Sequence, residues 1–244
     1  MAPSKGKDST GIPPRPAKFA TVSIGPEEVK FMVHKELLTS HSNFFRAALN
    51  GRFKEAEDRI VRLRDEDAGV FRFFVHWLYH KRFPNKHDAG NLYQMWAGES
   101  TNGADTMENL VFLYVFCEKY DAPELKIKTI TCLYEHLDDP AMGCPLPDVD
   151  TVKYVFDSLH ESSPLCNLLA DAHCHWANDD VWSDFDEGIW PPAFIGKVLR
   201  QYTAYAQGGR DRFSFLEPCD YHEHKTREEQ SACQKQQEEE LEKL

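Results

Sequence analysis

The sequence contains no run of about 18 consecutive apolar residues, the length that a membrane-crossing helix needs. Its N-terminus also lacks the apolar stretch of a secretory signal peptide, because residues 1–18 are rich in Pro, Lys, Ser and Gly. Such a segment buries too little surface to order itself, and we expect it to be disordered. These absences predict an intracellular protein, cytoplasmic or nuclear, without a membrane partner.

The common enzyme motifs are also missing. No glycine-rich phosphate loop follows a strand, and neither G-x-S-x-G nor H-E-x-x-H occurs. The tripeptide His173-Cys174-His175 places a thiol between two imidazoles, but adjacent residues of a helix do not face one another. We therefore predict a protein that is not an enzyme and has no cofactor. A thiol enzyme centred on Cys174 or on the Cys219 region is the alternative.

A basic surface is lacking as well. The net charge is −12, and the first 18 residues contribute four Lys or Arg against one Asp, which leaves −15 on the remainder. A field of this sign repels phosphate backbones, and no basic stripe with interleaved aromatic residues offsets it. We therefore expect no nucleic-acid partner.

The seven cysteines are odd in number and lack tight spacing, which favours free thiols over a disulfide framework. One group of metal-ligand types stands out, namely Cys219, His222 and His224, with Cys233 further along. Zinc needs about four ligands converging at ~2.0–2.3 Å, whereas C-x-x-H-x-H is not a standard pattern and Cys233 lies in a charged tail. The sequence therefore predicts no metal site, with a zinc-stabilised regulatory protein as an alternative.

The first half of the chain opens with strand-like patterns. Apolar residues alternate with polar ones in residues 19–24 and again in residues 29–34. The turn-forming pair Gly25-Pro26 lies between these two stretches, and together they predict a β-hairpin. Residues 59–63 are again rich in β-branched side chains and predict a third strand.

Helical patterns lie around this third strand. Two short apolar clusters precede it, and Ser42 or Asn43 between them can cap the second helix. Residues 70–78 then carry a wide helical apolar face. Phe45 and Trp77 lie on these apolar faces, and we predict that both are core residues.

Residues 84–105 are polar and interrupt the helical patterns, which predicts a surface-loop insertion. An apolar cluster inside it either fixes the loop to the domain or forms an exposed docking patch: Leu92, Tyr93, Met95 and Trp96. Two helices are predicted next, with capping-box patterns that begin at Asp105 and Asp121.

The chain beyond residue 137 divides into two parts. A proline-rich stretch around residues 140–147 predicts a domain boundary, and residues 148–206 carry three amphipathic helical patterns. Helices of this length cannot bury their apolar faces alone, so we expect them to pack on one another and on the preceding domain. Residues 207–244 are predicted to form a loop and a charged tail, either disordered or a solvated helix.

Five segments carry a resemblance to a known family: VHKELL (33–38), SNFFRAAL (42–49), FKE (53–55), FVHWLY (74–79) and FCEKYDAPELK (116–126). In this order they resemble the BTB/POZ domain, in the form common in fungal proteins, over roughly residues 19–137. The resemblance implies an α+β fold, a small β-sheet with flanking helices, followed here by a C-terminal helical extension. Because BTB domains are interaction scaffolds, it also implies protein partners.

The resemblance further points to a cullin as one of those partners. The family's cullin-contacting pattern is an apolar residue, any residue and then Glu after the second short helix, and Phe53, Lys54 and Glu55 stand at that place. The alternative interpretation is that Phe53 packs on its own domain and Glu55 is a solvated charge. The resemblance implies a substrate adaptor for a cullin-RING ubiquitin ligase; the alternative is a self-associating, transcription-associated scaffold. Residues 1–18 lack the pattern of an exchanged N-terminal element, so we expect at most a weak homodimer.

Overall fold

The computed structural model describes residues 18–88, 90–99, 103–137, 146–177, 181, 189–207 and 217–241. Three strands form one mixed sheet: β1 Phe19–Ile24, β2 Val29–His34 and β3 Ile60–Leu63. The central strand β1 pairs antiparallel with β2 and parallel with β3, which gives the order β2-β1-β3. The predicted hairpin and third strand are present, and the α+β fold class is confirmed.

Helices cover this sheet and continue beyond it. The described helices are α1 Lys35–His41, α2 Asn43–Asn50, α3 Lys54–Asp58, α4 Ala68–His80, α5 Leu92–Ala97, α6 Ala104–Lys119, α7 Pro123–Leu137, α8 Val149–Ser158, α9 Pro164–Trp176, α10 Pro192–Ala206 and α11 Arg227–Leu241. A short 3₁₀ helix, Pro218–Tyr221, lies between the last two.

Aromatic side chains from three helices form the centre of the core. The ring of Phe74 in α4 lies 5.2 Å from that of Phe116 in α6 and 6.1 Å from that of Phe45 in α2, centroid to centroid. Phe45 and Trp77 are both fully buried, as predicted. These contacts join helices that are far apart in sequence, so the core depends on each of them.

Ser42 is the side chain that caps α2. Its hydroxyl accepts a hydrogen bond from the Phe45 N–H (3.1 Å) and donates one to the carbonyl of Tyr120 at the end of α6 (2.6 Å). Asn43, the other predicted cap, instead donates its side-chain N–H to the Asp121 carboxylate (2.8 Å). The break between α1 and α2 is therefore tied to the turn between α6 and α7.

We expect Ser42→Ala to lower the free energy of unfolding by about 1–2 kcal/mol, because it removes a helix cap and leaves a buried carbonyl without its donor. Urea denaturation measures this loss. Asn43→Ala is the matched control and should cost less, since its hydrogen bond is exposed. A larger loss for Asn43→Ala than for Ser42→Ala would contradict this assignment.

Residues 84–105 contain the helix α5, so the prediction of a surface loop throughout this stretch is wrong. Trp96 of α5 is buried, its ring stacked on Phe83 (centroids 5.3 Å apart) and edge-on to Phe73 (4.8 Å). Leu92 and Trp96 are spaced i, i+4, which puts both on one face of a helix that can pack on α4. The apolar cluster thus fixes this segment to the domain.

Neither of the next two helices is capped by the residue predicted from the sequence, Asp105 for α6 and Asp121 for α7. α6 begins at Ala104 after Gly103, whose φ of +75° suits glycine, so Asp105 already lies in the first turn. α7 begins at Pro123, and Asp121 has a left-handed φ of +47°. Its carboxylate accepts from Asn43 rather than capping α7. The tertiary contact prevails over the local capping pattern.

The C-terminal helices pack on the earlier ones, as expected from their amphipathic patterns. Phe112 of α6 contacts Tyr154 of α8 edge-on at 5.0 Å, and Phe156 of α8 contacts Phe194 of α10 at 5.6 Å. One contiguous core runs from the sheet to Tyr221. The predicted N-terminal tail up to residue 17, the boundary at 138–145 and the loop at 208–216 lie outside the described residues.

Candidate functional site

The predicted partner-binding tripeptide lies at the start of α3. Phe53 is the residue before the helix, its side chain is 64% exposed, and Lys54 and Glu55 are exposed in the first turn. The backbone carbonyl of Phe53 accepts from the N–H of Ala56 (3.0 Å). Its exposure makes the Phe53 ring accessible to a partner. The sequence alone does not predict this exposure, because an aromatic residue can equally well be buried.

The ends of α3 are fixed by the elements on either side. Gly51 closes α2, and its N–H donates to the carbonyl of Ala47 (2.9 Å). After α3, Arg59 takes a left-handed φ of +56°, and its carbonyl accepts from the N–H of Thr21 in β1 (2.9 Å). The short helix is thus held in one position between α2 and the sheet. Its surface combines one exposed ring with three carboxylates: Glu55, Glu57 and Asp58.

A second cluster forms where the chain returns from α10. The 3₁₀ helix supplies the buried Cys219, the loop after it supplies His222 and His224, and α11 supplies Cys233. Their ligand atoms all lie within 4.8 Å of one another. The Cys219 Sγ is 3.1 Å from His224 Nε2, and the Cys233 Sγ is 3.2 Å from His222 Nδ1.

Residues 14–98 match the family model of the BTB/POZ domain. The chain carries a BTB/POZ domain. The matched stretch extends through α5, whereas α6 and α7, which the resemblance also included, lie beyond it. The exposed Phe53 belongs to the BTB domain, and the Cys/His cluster lies well outside the match.

Curated relatives that contain a BTB domain are similar to this chain over a short stretch. The chain is similar to the proteins called "Kelch repeat and BTB domain-containing protein 4" from Homo sapiens and Mus musculus, with 37% identity over 62 residues. That stretch is 25% of this chain and 12% of each relative. The chain therefore matches only a small part of their length.

The cysteine considered as a catalytic nucleophile is not placed for that role. Cys174 is fully buried in α9, and its thiol donates to the carbonyl of Val198 in α10 (3.5 Å). His173 is also buried, its Nδ1 lies 2.7 Å from the carbonyl of Leu169, and burial lowers its pKa. These contacts are those of core residues that fix α9 against its neighbours.

No helix in the described part of the chain is long and apolar enough to cross a membrane.

The Cys/His cluster is tied to α7, the second helix after the BTB match. Lys126 of α7 pairs with Glu118 (2.8 Å) and with Glu223, the residue between the two clustered histidines. The Thr131 hydroxyl of α7 lies 2.8 Å from His222 Nε2. Two independent side chains of α7 thus position this loop, although Glu223 and His222 are about 90 residues away in sequence.

Burial and proximity change the acidity of the clustered groups. Burial and the neighbouring Cys233 raise the pKa of the Cys219 thiol to about 12. Burial and the nearby His224 lower the pKa of His222, which favours its neutral imidazole. A neutral imidazole is the form that binds metals, and two adjacent thiols ionise together most readily beside a cation.

The prediction of no metal site depends on the assumption that Cys233 lies in a tail. The structure contradicts that assumption, because α11 folds back and brings Cys233 to the other three residues. The charged composition of residues 227–241 signals a solvated helix, one of the two forms predicted, but not where the helix lies. Only the four-residue set itself was visible in the sequence.

Proposed function

We propose that this chain is a non-enzymatic interaction scaffold built on its BTB domain, of the form common in fungal proteins, and that it acts as a substrate adaptor for a cullin-RING ubiquitin ligase. The observation that carries the proposal is the exposure of Phe53 at the place where the family's cullin-contacting pattern stands. A ring that is 64% exposed on a fixed short helix is available to a partner at little ordering cost.

The chemistry of α3 suits a partner with a hydrophobic pocket and a basic rim. Burying an exposed Phe side chain contributes about 2–3 kcal/mol. The carboxylates of Glu55, Glu57 and Asp58 would orient the complex and speed its formation, because complementary charges steer association. Phe53 would supply most of the affinity and the acidic residues the orientation.

A ligase adaptor also needs a surface for its substrate. We assign that role to the C-terminal helical region, where Leu199 of α10 is 61% exposed and Ile189 is half-exposed. The second candidate, self-association, is expected to be weak because of the net charge of −15 outside residues 1–18. Its favoured surface is the edge strand β2, on which Met32 is 72% exposed.

The test of the adaptor function is binding of purified cullin from the same cell to wild-type protein and two variants. Phe53→Ala should weaken binding about 30-fold, the equivalent of about 2 kcal/mol, and Glu55→Lys should weaken it through charge repulsion. Met32→Ala is the matched control, since it removes a similarly exposed apolar side chain from β2, away from α3.

Each outcome of this measurement has a definite meaning. Loss of binding in Phe53→Ala with retention in Met32→Ala supports the adaptor. Absence of wild-type binding leaves a BTB scaffold with other protein partners. Equal binding by all four proteins shows that a cullin binds elsewhere on the domain and overturns the role of Phe53.

A further inference from the structure

The C-terminal helix α11 lies against the protein with almost no hydrophobic surface to hold it there. Its sequence, REEQSACQKQQEEEL, is mostly Glu and Gln, and its described side chains include none that is fully buried. A helix of this composition normally remains in solvent, because burial of an apolar face supplies most of the docking energy. Another interaction must therefore hold α11 in place.

Cys233 is one point at which α11 contacts the rest of the protein, and its surroundings identify the interaction. Tetrahedral zinc with bonds of about 2.0–2.3 Å places its ligand atoms roughly 3.3–3.8 Å apart. The two sulfur–nitrogen separations of 3.1 and 3.2 Å are close to that spacing, and all four ligand atoms fall within 4.8 Å. Two thiolates and two neutral imidazoles would balance the charge of one divalent ion.

The hydrogen bonds around His222 determine which of its nitrogens is free to bind a metal. The Thr131 hydroxyl donates to the carbonyl of Ile127 (2.9 Å), so its oxygen accepts the Nε2–H of His222 (2.8 Å). The Nδ1 atom then carries the lone pair, and it is this atom that faces Cys233. Metal-binding histidines typically have such a partner on the second nitrogen.

We propose that Cys219, His222, His224 and Cys233 bind one zinc ion, which fastens α11 to the 219–224 segment that α7 holds. The spacing is C-x2-H-x-H-x8-C, with three ligands from one short segment and the fourth from a helix. A groove of about 500 Å³ between α4, α7 and α11 is lined in part by His222 and Cys233 and gives the ion a route from solvent. Metal binding would replace the hydrophobic contacts that α11 lacks.

The experiment measures zinc bound to the purified full-length chain by elemental analysis after dialysis. We expect one zinc per chain in the wild type and loss of stoichiometric binding in Cys233→Ala and His224→Ala. The matched control is Cys132→Ala, which removes a thiol of α7 that lines the same groove but is not in the cluster. It should keep the full zinc content.

Two further measurements separate a metal site from a local loss of folding. Thr131→Val leaves all four ligands in place and should weaken zinc affinity about 10–100-fold, because it removes the partner of His222. Chelation of the wild type should remove the hydrogen-exchange protection of residues 217–241 and leave that of β1 and α4 intact. Tetrahedral Co²⁺ absorption should appear on cobalt substitution and be absent in Cys233→Ala.

Three results would overturn the proposal. The first is absence of zinc from wild-type protein that has been purified under reducing conditions and then supplied with zinc. The second is zinc content that is unchanged in Cys233→Ala. The third is a Cys219–Cys233 disulfide in protein isolated from cells, detected by thiol counting under denaturing conditions, which would assign the four residues to redox chemistry.

Discussion

Replacing Phe45 with alanine is expected to lower the free energy of unfolding by about 3–5 kcal/mol and to unfold a large fraction of the protein. The side chain is fully buried, and its ring lies 6.1 Å from Phe74 and 6.2 Å from Tyr120, centroid to centroid. These partners belong to separate elements, so they cannot all move inward to fill the cavity. Urea denaturation followed by circular dichroism measures the loss.

Phe53→Ala is the control that isolates burial from the loss of a phenyl ring. Phe53 lies eight residues further along the chain and is 64% exposed, so its replacement should change the free energy of unfolding by no more than about 0.5 kcal/mol. Trp77→Ala should behave like Phe45→Ala, since Trp77 is also fully buried. An unchanged melting temperature for Phe45→Ala would contradict the core assignment.

The second large effect is expected at Asp171, a buried carboxylate that joins three C-terminal elements. It lies in α9 and accepts from the Gln201 side chain of α10 (2.5 Å) and from the Tyr221 hydroxyl of the 3₁₀ helix (3.0 Å). Asp171→Ala leaves both donors without this acceptor. We expect a loss of about 2–3 kcal/mol, since hydrogen bonds to charged groups are the stronger ones.

A double-mutant cycle separates this interaction from general damage to the region. Tyr221→Phe alone should cost about 1–2 kcal/mol, because it removes one buried donor, and its cost should be smaller in the Asp171→Ala background. Burial and the Asp171 carboxylate both raise the pKa of Tyr221, as expected for a close contact. Fully additive losses would show that the two side chains do not interact in solution.

These measurements should be made with and without a chelator, because the Asp171 contacts and the Cys/His cluster hold neighbouring parts of the same segment. Tyr221 precedes the first clustered histidine by one residue. The loss caused by Asp171→Ala should be present under both conditions, since the hydrogen bonds from Gln201 and Tyr221 to Asp171 do not involve the cluster residues.

Phe45 and Phe53 show how well the burial of a side chain in the BTB region can be predicted from the sequence. Periodicity placed Phe45 on an apolar helical face, and burial confirms it. For Phe53 the sequence left two interpretations, because the five residues of α3 are too few to define an apolar face. Its exposure depends on how α2 and the sheet hold α3, which is a property of the assembled domain.

Capping signals show a similar limit. Ser42 caps α2 as predicted, whereas Asp121 has the right spacing for a cap and does not act as one. A cap predicted from spacing competes with tertiary hydrogen bonds of similar strength, and here Asn43 takes the Asp121 carboxylate. Local patterns are reliable only where no distant group offers an equivalent partner.

By itself, the sequence determined the hairpin and the apolar faces of the long helices, because each depends on the order of apolar residues along the chain. The α+β class followed from the resemblance to the BTB/POZ domain, which rests on ordered sequence motifs. The tertiary structure alone decided that Trp96 is buried, that Phe53 is exposed and that Cys233 meets Cys219. Each of these depends on a contact between separate elements. Sequence spacing carries no information on how a charged helix returns to α7, and the candidate zinc site depends on that return.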